Sequence, residues 1–165
     1  MTHNLFLDSL SPEGRQTLIN LTMPVSLPLG TVLYETEIVP RYGYFLTSGV
    51  ASTITRTRNG DSAEVGLIGH EGFVGSLQLL GPALVPAESM VQIDATALRI
   101  PLREFRKIFL TSEEIRNALL EFVQNEALTT IQIAGCHRLH GTDERMCRWL
   151  LMGKRVVLAV CTWLR

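Results

Sequence analysis

The sequence predicts a mainly β fold with flanking helices, of the sandwich, jelly-roll or barrel kind. Between residues 25 and 101, short segments typical of strands recur at regular spacing and are separated by turn residues. On either side, the pattern changes to helix caps and to apolar residues three and four positions apart. A chain of 165 residues with 46% apolar and 19% charged side chains is globular, and it is long enough for one domain, or for one domain and part of another.

The first predicted helix begins at Ser11, which is a candidate N-cap residue. Pro12 suits the first helical position, and Glu13 places a negative charge in the first turn. The helix is expected to end before Pro24, because proline cannot continue a helix from within.

The region between residues 25 and 101 alternates strands with turns. Residues 50–55 alternate with period two, and Asn59 with Gly60 predicts a tight hairpin turn into a strand at residues 63–68. The other strand candidates are residues 31–34, 44–46, 91–95 and 97–100.

A glycine-rich stretch, residues 68–81, follows the predicted hairpin. Its apolar segments are too short for independent helices, and repeated changes of backbone direction favour glycine, which has no Cβ penalty at positive φ. From Phe73 onward the pattern predicts a short helix, and the N–H groups at a helix start can hold an anion. A glycine-rich turn with no ligand role is the alternative. The four glycines are Gly69, Gly72, Gly75 and Gly81.

A short helix is predicted over residues 102–109, and Ser112 can cap a much longer one that ends at Gly141. The long helix has two partly overlapping apolar faces, so it should pack on its own domain and on something else. We predict that one face pairs two chains, with burial inside one chain as the alternative. The other face comprises Ile115, Leu119 and Phe122. The predicted dimer interface consists of Leu120, Val123, Ala127, Ile131 and Ala134.

A further helix is predicted after Gly141. Thr142 can cap it, and Asp143 and Glu144 lie in its first turn, where negative charge is favourable. Residues 149–152 form its apolar, core-facing part.

This order of elements resembles the Crp–Fnr family of bacterial transcription regulators, from about residue 4 to residue 152. The resemblance lies in the order of the elements: a helix, a small β-domain with Gly75, Ser76 and Leu77 near its end, a long helix, and the segment 144–151. Each fragment is weakly specific, whereas their order and spacing are strongly so. Further matching segments are residues 29–30, 45–49, 73–77, 97–101 and 136–140.

The resemblance implies a cyclic-nucleotide-binding β-roll, which is a double-stranded β-helix or jelly roll, followed by a long dimerisation helix. In the family, a winged helix-turn-helix then enters the DNA major groove. Residues 1–111 would be the sensor domain and residues 112–141 the dimerisation helix. Residues 142–165 would be a remnant of the DNA-binding domain that contains its first helix only.

The family's ligand pocket maps onto Gly75, Ser76, Leu77, Glu88 and Ser89. The family's cAMP binders carry a glutamate directly after the glycine, where it bonds the ribose hydroxyl, and Ser76 stands there in this sequence. They also carry an arginine that pairs with the cyclic phosphate, whereas residues 86–90 have no arginine and an added carboxylate, Glu88. Losing that contact removes a charge-assisted bond, Glu88 would repel the anion, and Ser89 offers only a hydroxyl. We therefore expect a degenerate pocket that does not bind cAMP or another cyclic nucleotide well.

A second departure concerns the C-terminal residues. Residues 153–165 show no trace of the two further helices and the wing, so the chain resembles a regulator truncated or altered in reading frame at the hinge. Residues 101–165 carry seven acidic and ten basic side chains, against nine and five in residues 1–100. Weak, salt-sensitive attraction to DNA phosphates is expected, without sequence-specific recognition.

Other kinds of site are not predicted. His137 and His140 could reach a metal together with Cys136, but no further ligand completes a tetrahedral set. Neither the strand His-x-His cluster of a cupin nor a Ser–His–Asp pattern is present, so no catalytic residue and no enzyme are predicted. Asp61 and Glu64 flank the hairpin and are expected to be solvated.

A cytoplasmic location is expected. The three cysteines, Cys136, Cys147 and Cys161, form no paired framework, the N-terminus lacks a signal peptide, and no apolar run is long enough for a membrane span. The leading interpretation is a Crp–Fnr-type sensor and dimerisation part that acts as a homodimer, without a complete helix-turn-helix and without a cofactor. The alternative is a free-standing ligand-binding module that acts through protein partners, and a cupin-type enzyme is a distant third.

Overall fold

A computed structural model describes residues 3–81 and 84–158 of the chain. Within these residues a single antiparallel sheet of six strands forms a β-roll with helices at both ends of the sequence. The two long strands, β3 and β6, pair with each other at the centre of the order β1-β6-β3-β4, while β2 also pairs with β6 and β5 with β3. The strands are β1 (Met23–Leu27), β2 (Val32–Tyr34), β3 (Tyr42–Arg56), β4 (Ser62–Ile68), β5 (Phe73–Val74) and β6 (Glu88–Pro101).

Except for α3 (Leu77–Leu80), which lies between β5 and β6, the helices flank this sheet in sequence, as predicted. The N-cap residues predicted at Ser11 and Ser112 are confirmed, because their hydroxyls accept hydrogen bonds from the N–H groups of Gly14 and Ile115, at 3.1 and 3.3 Å. The helices are α1 (Leu5–Asp8), α2 (Pro12–Ile19), α3 (Leu77–Leu80), α4 (Leu102–Thr111), α5 (Glu113–Leu139) and α6 (Thr142–Leu158).

The hairpin predicted at Asn59 and Gly60 is confirmed. The N–H of Thr57 donates to the carbonyl of Asp61 at 2.8 Å, and Gly60 takes the positive φ of 92° that the turn requires. This turn joins β3 to β4.

Two predicted strand breaks are absent, since residues 44–46 and 50–55 belong to one strand and residues 91–95 and 97–100 to another. The long strands bend rather than end, with register shifts between residues 46 and 51 of β3. Gly49 lies in this bend with φ of 74°, and a Cβ there would lie 2.5 Å from the backbone oxygen of Asp94. Glycine therefore lets β3 and β6 stay paired through the bend.

The glycine-rich stretch behaves differently from the prediction. Among its four glycines only Gly75 has a positive φ, 105°. The prediction that glycine is needed here for positive φ was therefore wrong at the other three. Gly72 is instead a point of close approach, because a Cβ there would lie 2.7 Å from the ring of Phe122 on α5. The short helix is confirmed as α3, although Phe73 itself lies in β5.

The core packs the N-terminal helices, α4 and the start of α5 against the roll. Phe45, Phe73 and Phe105 are fully buried, with ring centroids 4.5 to 5.8 Å apart, so their rings contact one another in tilted and edge-to-face arrangements. Ile115 and Leu119 of α5 belong to the same cluster, which anchors the long helix to the domain.

The two predicted faces of α5 differ in exposure. The face containing Ile115, Leu119 and Phe122 packs on the domain, as predicted, and the ring of Phe122 lies 6.0 Å from that of Phe6. The predicted dimer face is largely open. Within the chain, Leu120 is 46% exposed, Ile131 67% exposed, Ala127 and Ala134 exposed, and Val123 half-buried.

Helix α6 is present where it was predicted, but Thr142 is its first residue rather than its N-cap, and the helix continues through Gly153 to Leu158. Residues 159–165, including Cys161, lie outside the described residues. Among the helices that the structure describes, none combines the length and apolar character needed to cross a bilayer.

Candidate functional site

Ser89 is a buried residue of the central strand β6. The register places it opposite Tyr34 on β2 and opposite Thr53 on β3, so the three side chains share one face of the sheet. Ser89 is 1% exposed, and its Oγ has no hydrogen-bond partner among the described residues. Beside it, burial raises the pKa of the Tyr34 phenol, and a hydrogen bond with Thr53 partly offsets this effect.

Glu88 is paired with an arginine of the neighbouring strand. Its Oε1 accepts hydrogen bonds from Nε and Nη2 of Arg56 at 2.9 and 2.5 Å. The Glu88 side chain is 17% exposed and that of Arg56 51%, and the pair raises the pKa of Arg56 above its ordinary value. Because Glu88 is paired, it repels an anion less than the free carboxylate expected from the sequence. The guanidinium of Arg56, however, is already neutralised by the same ion pair.

The glycine segment forms the second half of the predicted pocket. Gly75 needs its positive φ, and a Cβ there would lie 3.4 Å from the Cα of Gly43. Ser76 precedes α3, is 5% exposed, and does not cap the helix with its side chain, while Leu77 is 49% exposed. No hydrogen bond among the described residues joins Ser76 to Ser89. The five predicted residues thus form two groups, one after β5 and one at the start of β6.

A pair of carboxyl groups was missed by the sequence analysis. Glu71 accepts a 2.8 Å hydrogen bond from the N–H of Gly69, while its other oxygen is buried with no partner among the described residues. Burial raises the pKa of Glu71, and burial together with the charge of Glu71 raises the pKa of Glu126 to about 7. Two carboxyls in one partly buried place cannot both ionise easily, so a proton is retained there near neutral pH.

A helical spacing could have revealed Glu126. It lies four residues after Phe122 and seven after Leu119, on the face of α5 that packs against the domain. A carboxylate at such a position is unusual, and here it interacts electrostatically with Glu71 in the turn after β4.

Glu64 is bonded rather than solvated, so the prediction for this residue was wrong. Its Oε2 accepts a 2.7 Å hydrogen bond from Ser52 and a longer one, 3.4 Å, from Gln92. Its Oε1 accepts a 2.7 Å hydrogen bond from Nε1 of Trp149 on α6, because α6 folds back over β4.

The histidines and cysteines near the end of α5 make side-chain contacts of their own. His140 Nδ1 lies 3.2 Å from Cys136 Sγ, and His137 Nε2 lies 3.0 Å from Nη2 of Arg148. In the described part of the chain, no group of three or more histidine, cysteine, aspartate or glutamate residues is placed to hold a metal ion.

The family model for the cyclic nucleotide-binding domain matches residues 24–112, which run from β1 to the end of α4. The chain belongs to this family. The match covers all six strands except the first residue of β1, so the fold class predicted from the sequence is confirmed. No curated protein matches the sequence significantly.

Solved structures share the fold of this cyclic nucleotide-binding domain at low identity. The c-di-GMP-responsive global regulator CLP of Xanthomonas campestris is 17% identical, with a TM-score of 0.71 over 85% of this chain and 70% of that one. A transcriptional regulator of the Crp/Fnr family from Eubacterium rectale is 12% identical, with a TM-score of 0.76 over 90% and 70% of the two chains. The catabolite activator protein of Thermus thermophilus is 15% identical, with a TM-score of 0.64 over 80% and 63%.

Proposed function

We propose that this cyclic nucleotide-binding domain is the sensor and dimerisation part of a Crp/Fnr-type transcription regulator whose pocket is degenerate for cyclic nucleotides. The likeness to the regulators from Xanthomonas campestris and Eubacterium rectale supports the regulator class. The placement of α5 directly after the β-roll supports a role for this helix in joining two chains. The proposal assigns no reaction and no cofactor to the domain.

The ion pair between Arg56 and Glu88 carries the proposal of a degenerate pocket. In the family resemblance, the cyclic phosphate meets an arginine in the segment that contains Glu88. Here the guanidinium comes from the neighbouring strand, and Glu88 already accepts two of its N–H groups. A phosphate would have to displace a carboxylate that is 17% exposed and leave it without a partner, which costs free energy.

The charge on α5 supports the same conclusion. Glu126 contributes to the raised pKa of Tyr34, so its charge acts on the sheet face that carries Ser89. Above the pKa of Glu126, which is about 7, the negative charge of this carboxylate would oppose the approach of a phosphate. The buried Ser89 hydroxyl remains a suitable donor for a ligand that carries less negative charge.

The open face of α5 supports pairing of two chains. Leu120 and Ile131 are large apolar residues that the chain leaves exposed, and Ala127 and Ala134 between and beyond them allow close approach of a second helix. A second copy of the same face fits this pattern, since a two-fold pair brings identical stripes together.

Isothermal titration calorimetry with cAMP, run beside light scattering of the same sample, tests the proposal. We expect a dimer that shows no saturable heat with cAMP at micromolar concentrations. A micromolar dissociation constant would contradict the degenerate pocket, and a monomer at micromolar concentration would contradict the dimerisation role.

A further inference from the structure

A cleft of about 410 Å³ lies between β4, the end of α5 and α6, and it contains none of the predicted pocket residues. Its volume is within the range of small-molecule sites. Among polar and charged lining residues, each of the three elements contributes an apolar side chain: Leu67 on β4, Ile133 on α5 and Met146 on α6. An apolar body would therefore find contact surface from three elements.

The cleft also contains a guanidinium, that of Arg148, which forms no ion pair with any described residue. Arg148 Nη2 is bonded to His137 Nε2 at 3.0 Å, while Nε and Nη1 are buried and have no hydrogen-bond partner among the described residues. Because arginine only donates, the hydrogen bond is accepted by Nε2 of His137. This contact satisfies one nitrogen of the guanidinium and provides no ion pair.

Glu64, the carboxylate that lines the cleft, forms no ion pair with Arg148. Glu64 accepts hydrogen bonds from Ser52, Gln92 and Trp149, so both of its oxygens are engaged. The ion pairs formed by described residues do not include Arg148. A buried, unpaired charge is costly, and an anion placed against it would remove that cost.

We propose that this cleft binds a small amphipathic anion, an apolar body with one carboxylate or phosphate group, and that Arg148 is its charge partner. The ligand would bridge the β-roll and α6. Occupancy of the cleft would thereby affect the position of α6, the helix that follows α5. The site is separate from the pocket of the β-roll, so it stands whether or not a cyclic nucleotide binds there.

Four probes separate charge from apolar contact. Decanoate and decyl phosphate carry both features with different anionic groups, decanol carries the apolar body alone, and inorganic phosphate carries the charge alone. Trp149 lines the cleft, and its emission reports binding in a full-length Trp163→Phe chain, where it is the sole tryptophan. We expect saturable changes with decanoate or decyl phosphate below their micelle concentrations, at least ten-fold weaker binding of decanol, and no saturation by inorganic phosphate at the same concentrations.

Arg148→Gln should weaken binding of the anionic probe at least ten-fold, whereas Arg138→Gln, an exposed arginine outside the cleft, should leave it unchanged. Equal binding by the Arg148→Gln chain, or equal binding of decanol, would overturn the proposal and reduce the cleft to an apolar surface. Equally tight binding of inorganic phosphate would overturn the amphipathic part of it.

A measurement without ligand tests the unpaired charge directly. Removing a buried charge that has no ion-pair partner among the described residues should stabilise the chain, so Arg148→Gln should raise the Tm by a few degrees relative to wild type. Arg138→Gln should leave the Tm unchanged. A lower Tm for Arg148→Gln, or failure of this variant to fold, would show that the charge is already compensated within the chain and would contradict the proposal.

Discussion

The side-chain amide of Asn4 donates a 2.9 Å hydrogen bond to the carbonyl oxygen of Gly72, across 68 residues of sequence. The same Nδ2 donates to the carbonyl of Leu46 at 2.8 Å, and Oδ1 accepts from the N–H of Leu7 at 3.1 Å. Asn4 is fully buried. One side chain therefore ties α1 to β3 and to the turn that contacts α5.

Asn4→Ala should destabilise the chain by about 2 to 4 kcal/mol, because it leaves two buried carbonyl oxygens without this donor and removes the cap of α1. Chemical denaturation followed by circular dichroism measures the free energy of unfolding. The control is Asn20→Ala, an exposed residue after α2, which should change it by less than about 0.5 kcal/mol. Equal effects of the two substitutions would show that the hydrogen bonds of Asn4 do not stabilise the fold.

The carboxyl pair of Glu71 and Glu126 predicts a dependence of stability on pH. The folded-state pKa of Glu126 is about 7, above its ordinary value of 4.5, so between these values the folded chain holds a proton that the unfolded chain releases. The free energy of unfolding should therefore fall as pH rises from about 5 to 8, on the order of 2 kcal/mol in total. Glu71, whose pKa is also raised, should add to the fall.

Glu126→Gln removes this titration, so the variant should be close to wild type at pH 5 and more stable than wild type at pH 8. Glu121→Gln, an exposed position on the same helix, serves as the control and should keep the wild-type pH profile. Thermal or urea unfolding across the pH range provides the comparison. If the free energy of unfolding of the wild-type chain does not change between pH 5 and 8, the pKa of Glu126 is not raised in the folded chain.

The open face of α5 predicts a dimer that one charge can separate. Ile131→Glu would place a carboxylate in the seam between two copies, so a monomer is expected in size-exclusion chromatography with light scattering. Ile131 is 67% exposed, so folding of the single chain should be unaffected. Leu29→Glu, at a residue with the same 67% exposure away from α5, should remain dimeric. A dimeric Ile131→Glu variant would place the interface elsewhere.

Local sequence patterns were sufficient to predict much of the fold. The hairpin at Asn59 and Gly60 and the caps at Ser11 and Ser112 depend on residues within a few positions of each other, and all appear as predicted. The four-residue helix α1 was not predicted, because Asn4 stabilises it through partners as far away as Gly72.

The candidate site depends on contacts between distant residues. Glu88 and Arg56 are 32 residues apart, and only the register of β3 against β6 shows that they pair. Glu64 and Trp149 are 85 residues apart, and their hydrogen bond requires α6 to fold back over β4. The family resemblance predicted which residues line the pocket region, whereas their ion pairs and hydrogen bonds are determined by packing.

The proposed degenerate pocket has a direct test in a gain of binding. Ser76→Glu with Glu88→Arg restores both polar partners that the family resemblance implies for cAMP. Glu88→Arg also ends the ion pair with Arg56, so a chain carrying Glu88→Arg alone serves as the comparison.

Calorimetric titration of cAMP into wild type, the single variant and the double variant is the decisive measurement. We expect no saturable binding to wild type and measurable binding to the double variant, with the single variant between them. Micromolar binding of cAMP to the wild-type chain would contradict it.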